Sequence, residues 1–172
     1  MRRLQEMQEF TIVESTAQSL NDFISLLDDV GEWLWRKGIK QWEPGTHRKN
    51  RGKIKHLVER GCLILAYRGD RLAGGCVLSE VDPGWPDASD DCLYLSSLAV
   101  ARFAAGQGLG TGIIDACAEA ARKRGKSLIR LDCWDGNEFL KSYYQGEGFR
   151  MLEAVQEDDY WVRLFEKDVG SQ

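Results

Sequence analysis

The sequence predicts an α/β fold: a central mixed, mostly antiparallel β-sheet flanked by helices on both faces. Three observations carry this. Apolar periodicity alternates along the chain between steps of two and steps of three to four, in the order β-α-α-β-β-β-α-β-α-β-β. Two strands, Cys62 to Arg68 and Arg71 to Val81, are separated only by Gly69-Asp70, a hairpin signal. A third, Leu93 to Val100, runs into a glycine-rich turn and then a helix, a unit that lays a helix on a sheet. The chain has 172 residues, enough for one domain with a full-sized core. No internal repeat or low-complexity segment marks a second unit, so residues 1–172 are expected to form a single domain.

Each element has its own signal. Phe10 to Glu14 (FTIVE) reads as a short strand. From about Ala17, Leu20, Phe23, Ile24, Leu27, Val30 and Leu34 recur at helical spacing, and Arg36, Lys37 and Gly38 supply a basic last turn and a stop. The segment GIKQWEPG is a loop, because Pro44 and Gly45 do not continue a helix. Thr46 is expected to cap a second helix reaching about Arg60, with Ile54, Leu57 and Val58 as its apolar face. Five basic residues crowd its first half (Arg48, Lys49, Arg51, Lys53 and Lys55), which reads as a solvated face or a basic rim beside a cleft. Gly74-Gly75 inside a strand signals a bulge or a close backbone approach. Asp82 to Asp91 is an exposed loop. Thr111 to Arg124 is an amphipathic helix with Ile113, Ile114, Cys117, Ala118 and Ala121 inward, ended by Gly125. Ser127 to Trp134 is a strand, Asn137 to Gly146 a short helix, and Arg150 to Val155 with Tyr160 to Glu166 a closing hairpin.

Composition removes several function classes. The net charge is −4, which gives no electrostatic support to a general nucleic-acid role. The five cysteines have no C-x-x-C pair and sit mostly in apolar runs, so they read as free thiols rather than a disulfide framework or zinc site. His47 and His56 are too far apart to share a helical face as metal ligands. The aspartate-rich loop lacks calcium-loop spacing, and no metal is expected. The N-terminus lacks the apolar segment of a signal peptide, and no run approaches a membrane span. The expectation is a cytoplasmic protein without nucleic-acid or membrane partners, a monomer or homodimer.

The stretch LYLSSLAVARFAAGQGLGT, from Leu93 to Thr111, concentrates the functional signal. Gly106, Gly108, Gly110 and Gly112 leave every second backbone position without a Cβ. Such a loop can aim several N–H groups into one small space, and the following helix adds a positive dipole end, a setting suited to phosphate. The Walker pattern fails, since no Gly-Lys-Ser/Thr ends the loop. The dinucleotide fingerprint fails too, because the position its last glycine needs is Thr111. A tight structural connection remains the plain alternative for the loop taken alone.

GQGLG after an LAV strand end resembles the coenzyme-A pyrophosphate loop of the GNAT superfamily of N-acetyltransferases. That loop, Arg/Gln-x-x-Gly-x-Gly/Ala, falls on Ala105, Gly106, Gln107, Gly108, Leu109 and Gly110. Ala105 departs from the expected Arg or Gln. A second segment, LDCW followed by Asn137 and then YYQGEGF (Tyr143 to Phe149), is similar to the family's stretch in which Asn contacts the cofactor and an aromatic-Tyr pair precedes G-F. The element order matches the GNAT acyl-CoA N-acyltransferase fold from about Phe10 to Glu166.

The resemblance implies an acetyl-CoA-dependent N-acetyltransferase acting on a primary amine of a small molecule or peptide. It also allows a non-catalytic acyl-CoA sensor, against which Tyr144 and the loop glycines count. It places acetyl-CoA against Leu98 and Val100, whose strand is expected to splay from SLIRLDCW and free N–H and C=O groups for the pantetheine arm. Ala105 to Thr111 and Asn137 would also face the cofactor; Asn137 reads equally as a helix cap. Tyr144 matches the family's general acid. A phenol ionises near pH 10, so at neutral pH it carries a proton to offer a departing thiolate. The general base is open: histone-type relatives carry a glutamate where this chain has Tyr94, with Ser96 two residues on. Glu80 and Asp132 are other carboxylates near strand ends, and Ser96 is a candidate water relay. Trp42, with Trp33 nearby, is expected on the wall of the acceptor pocket, and Tyr94 and Glu80 are further candidates there.

Overall fold

The computed structural model describes residues 1–7 and 9–170. Eight strands form one sheet in the order β1-β2-β3-β4-β5-β6-β8-β7. They are β1 (Arg2–Met7), β2 (Phe10–Ser15), β3 (Gly61–Arg68), β4 (Arg71–Ser79), β5 (Cys92–Val100), β6 (Leu128–Trp134), β7 (Arg150–Glu157) and β8 (Tyr160–Asp168). Among the described residues only β5 and β6 pair in parallel; every other neighbouring pair is antiparallel.

The helices cover both faces. The first face carries α1 (Leu20–Arg36), α2 (Thr46–Lys49) and α3 (Arg51–Glu59). There Phe23, Leu27, Ile54 and Val58 pack on Leu63, Leu65, Val77 and Ala99. The opposite face carries α4 (Leu109–Lys123), with α5 (Glu138–Gly146) contributing Tyr144 to the same core. Full burial of an aliphatic or aromatic side chain stabilises by about 1.5–3 kcal/mol, so these stripes hold the helices in place. The five cysteines are free and buried.

Several elements differ from the sequence reading. β1 extends the sheet by one strand, pairing with β2; its sequence, RRLQEM, has no apolar alternation to announce it. The expected second helix is two, broken at Asn50. Its N-cap is Gly45 at φ +78°, not Thr46, and no side chain caps it. The basic residues of this region do not act as one rim: Arg48 pairs with Asp28 and Arg51 with Asn21, tying α2 and α3 to α1.

The glycine pair of β4 has a visible cause. A Cβ on Gly75 would lie 2.7 Å from the Ile64 carbonyl oxygen, and one on Gly74 3.0 Å from that of Ala99. Beside this close approach β5 carries an extra residue: Val77 is opposite Ser96, yet Gly75 is opposite Ala99. Ser97 takes the strain at φ +54°, a conformation few non-glycine residues adopt.

Candidate active site

The parallel pairing of β5 with β6 stops early. It joins Cys92 to Leu128, Leu93 to Ile129 and Tyr94 to Arg130, and then ends. β6 turns away to stay paired with β8 as far as Trp134, whereas β5 runs on to Val100 beside β4. From Leu95 to Val100 the edge of β5 facing β6 therefore has no strand partner. Backbone groups left open in this way must find another partner, and an extended ligand arm satisfies them as a strand would.

Two cavities meet along this edge. One, of about 370 Å³, runs from Leu98 over the glycine loop to Tyr143. The other, of about 580 Å³, lies between Leu95–Val100, α1, the loop after α1, and α5. Both are lined by Leu98, Val100, Arg102, Phe139 and Tyr144, so they form one bent cleft.

At the loop end the three central glycines have different reasons to be glycine. Gly106 and Gly108 sit at φ +73° and +76°, and Gly108 is the N-cap of α4. Gly110 has no such dihedral; a Cβ there would meet the Tyr143 hydroxyl at 2.5 Å. The first intrahelical bond into this end is Gly112 N–H to the Gly108 carbonyl, which leaves the N–H groups before it free of helical partners. The Gln107 side chain, the neighbouring candidate to replace the Arg or Gln expected at Ala105, is engaged within the protein. Its amide donates to the Phe103 carbonyl and its oxygen accepts from Arg68. That bond holds the Arg68 guanidinium beside the loop. The Thr111 hydroxyl is engaged by Glu147 at 2.7 Å.

At the other end the groups are side chains. Trp33, Trp42, Val30, Leu34 and Ile39 make an apolar wall. Trp42 is fixed from behind by Gly31 and by the buried His47, whose ring meets it edge-on at 4.7 Å. Asn137 caps α5, accepting from Leu140 N–H at 3.0 Å, and its amide donates to Gln41 at 3.2 Å. This ties the loop after α1 across the cleft to α5. Arg102 lies over the Trp33 ring at 3.7 Å.

Tyr144 faces the junction. Burial raises the pKa of its phenol, with Cys133 and Tyr143 adding to the effect. The ring is wedged between Phe149 and Phe165 at 5.8 and 5.6 Å, and its hydroxyl has no hydrogen-bond partner among the described residues. Ser96 lines the same cavity, and so does Asp132. The Asp132 carboxyl is pushed up to about 7, by burial first and then by the charges of Asp82 and Glu157. No hydrogen bond or ion pair holds it among the described residues.

Tyr94 and Glu80 are not brought to this cleft. They line a separate depression of about 300 Å³ near Trp85 and Lys126. Tyr94 packs on Trp85 at 5.8 Å, and its hydroxyl donates to the Asp87 carbonyl at 3.4 Å. Glu80 follows the end of β4, where its N–H donates to the Arg60 carbonyl at 3.0 Å, and for Tyr94 the reason is the splay. Tyr94 and Ser96 point to the same face, but Tyr94 is the last residue still paired with β6. Arg102, Phe139, Gln41 and the bulge at Ser97 are cleft residues that sequence reasoning missed. Among the described residues no cluster could hold a metal ion and no helix is long and apolar enough to cross a membrane.

Comparison with known proteins gives this geometry a family. The model of the acetyltransferase (GNAT) family matches residues 27–149. An uncharacterized N-acetyltransferase of Bacillus subtilis, YesJ, is 29% identical over 153 residues, covering 86% of this chain and 83% of its own. A GNAT-family acetyltransferase structure from Listeria monocytogenes superposes with a TM-score of 0.72 at 22% identity, covering 92% of this chain and 94% of that one. The PaiA N-acetyltransferase of Thermoplasma acidophilum, solved with coenzyme A, gives 0.69 at 16% identity over 92% and 98%. The chain belongs to the acetyltransferase (GNAT) family, acyltransferases whose co-substrate is an acyl-CoA.

Proposed function

We propose that this protein transfers the acetyl group of acetyl-CoA directly to a primary amine, with Tyr144 serving the leaving sulfur and Asp132 receiving the proton of the amine. The observation that carries the reading is the open edge of β5. It connects a glycine loop suited to a pyrophosphate with a cavity that holds an unpaired carboxylate, and Tyr144 stands where the two meet.

The residues divide the work by position. The N–H groups of Gln107 to Thr111, at the positive end of α4, receive the pyrophosphate, with Ala105 and Gly106 shaping the approach. Leu98 and Val100 offer main-chain groups to the pantetheine arm, and an N–H near Leu98 is aimed at the thioester carbonyl oxygen as charge develops on it. Asn137 borders the arm while capping α5. Transfer from the neutral amine, the form left once a bound ammonium has lost a proton to solvent, forms the bond from nitrogen to acetyl carbon and breaks the carbon–sulfur bond, so one proton must leave nitrogen and one must reach sulfur. A carboxylate titrating near neutral pH is matched to the first task, and Ser96 can relay that proton through water.

Tyr144 meets the second task within a limit set by acidity. A phenol near pKa 10 facing a thiol near 8.5 makes complete transfer uphill by about 2 kcal/mol in water, and burial adds to the gap. Its contribution is a hydrogen bond that strengthens as charge builds on sulfur, with full transfer coupled to return of a proton to the phenol.

The test is thiol release from acetyl-CoA in the presence of a panel of amines. Amine-dependent release with a matching acetylated product is expected. Tight acetyl-CoA binding with no release for any amine would instead make the protein an acyl-CoA sensor.

A further inference from the structure

The acceptor end of the cleft has a composition that selects among amines. We infer that the acceptor is an arylalkylamine, a single ammonium group carried on an aromatic body, rather than a polyamine or an amino sugar. The inference rests on the N-acetyltransferase reading above and names the substrate class of the same site.

The wall away from the glycine loop is made by Trp33, Trp42, Val30, Leu34 and Ile39. Two indoles and three aliphatic side chains reward apolar area removed from water and offer offset or edge-on partners to a ring. Trp42 is held against Gly31 and His47 and Trp33 lies under Arg102, so both surfaces are set before a ligand arrives. Pre-set walls lower the ordering cost of binding.

Beside the apolar wall, the two amide side chains are bound to each other and to the start of α5. The Gln41 oxygen accepts from Asn137, and the Asn137 oxygen accepts from the Leu140 N–H. An amino sugar entering here would exchange water for indole at several hydroxyl groups, each unmade hydrogen bond counting against it. Anionic capacity is limited: among the described residues Asp132 is the one carboxylate on the cavity wall. Asp82, whose charge reaches Asp132, lines the separate depression by Trp85. A second ammonium of a polyamine would therefore lie among apolar side chains and near the guanidinium of Arg102. A single ammonium at Asp132 with an aromatic ring against the tryptophan wall matches the one charge and the apolar surface that this end offers.

The experiment compares phenethylamine and tryptamine with spermidine, glucosamine and a short Met-Leu peptide, by acetyl-CoA-dependent thiol release. The aromatic amines are expected to show kcat/KM at least about 10-fold above the rest, a difference of the size one apolar group makes in a pocket. Trp42→Ala should raise the KM for phenethylamine about 5-fold or more, and Trp42→Phe less, while calorimetric affinity for acetyl-CoA in both variants confirms an intact fold. Preference for spermidine, glucosamine or the peptide would overturn the aromatic acceptor and leave the transferase standing. So would an unchanged phenethylamine KM in Trp42→Ala. Release with none of the amines would overturn the transferase reading itself.

Discussion

At one end of the β5–β6 cleft the groups offered to a ligand are main-chain N–H groups of one short loop. At the other they are side chains drawn from α1, the loop after it, β6 and α5. The loop end depends on dihedral angles at Gly106 and Gly108, so any residue that disfavours a positive φ disturbs it whatever its chemistry. The acceptor end depends on which side chain stands at each position of α1, the loop after it, β6 and α5. On the proposed reading, the loop end holds the invariant co-substrate and the other end sets acceptor specificity.

The largest expected effect lies at the acceptor end. Asp132→Asn should lower kcat/KM for the amine by about 100- to 10 000-fold, the usual worth of a positioned base, with acetyl-CoA affinity unchanged. In the native enzyme kcat/KM should rise with pH through about 7, following ionisation of Asp132. Stability should move the other way. The folded pKa lies above the ordinary aspartate value of 3.8, so the folded state holds its proton more tightly than the unfolded chain does. That contribution is present below pH 4 and is lost as pH rises to about 7. Asp132→Asn should accordingly have a higher Tm than the native protein at pH 8, with little difference at pH 4. A lower Tm at pH 8 would place Asp132 in the scaffold rather than in the chemistry.

Next comes the junction. Tyr144→Phe keeps the packing against Phe149 and Phe165 and removes only the hydroxyl, so kcat should fall by about 10- to 1000-fold with acetyl-CoA binding nearly unchanged. Its neighbour points about 100° away around the helix, toward Gly110. Tyr143→Phe should therefore alter kcat much less. Equal losses in the two variants would remove the acid role from Tyr144.

Smaller effects belong to the loop. Gly108→Val places a β-branched residue at φ +76° with no atom within 4 Å of its Cβ. The penalty is conformational, about 1–2 kcal/mol, which corresponds to weakening of acetyl-CoA by roughly 10-fold as the loop relaxes. Smallest is a gain: Ala105→Arg supplies a cation where the loop pattern it resembles has Arg or Gln, and should tighten acetyl-CoA about 2- to 5-fold, an exposed ion pair's worth. Calorimetric titration of acetyl-CoA reads both.

Legibility in the sequence follows the same division. The glycine loop could be read because its parts are contiguous and backbone conformation is written in glycine spacing. The hairpin at Gly69-Asp70 and the helix of α4 were legible for the same local reason. Tyr94 was misplaced because the point where β5 leaves β6 depends on what β8 pairs with, and no short stretch encodes that. β1 was missed because a polar strand is defined by its neighbour rather than by its own pattern. Asp132 had one signal available, a carboxylate in the otherwise apolar end of LIRLDCW, and it became informative only when Ser96 and Tyr144 were seen on the same cavity.

The independence of the two ends is tested most directly by crossing two measurements on two variants, the acetyl-CoA Kd and the acceptor KM for Gly108→Val and Trp42→Ala. The expected result is a raised Kd with unchanged KM in the first variant, and unchanged Kd with raised KM in the second. If either substitution moves both constants by the same factor, the cleft is a single coupled site, and the division between a backbone-built cofactor end and a side-chain-built acceptor end is wrong.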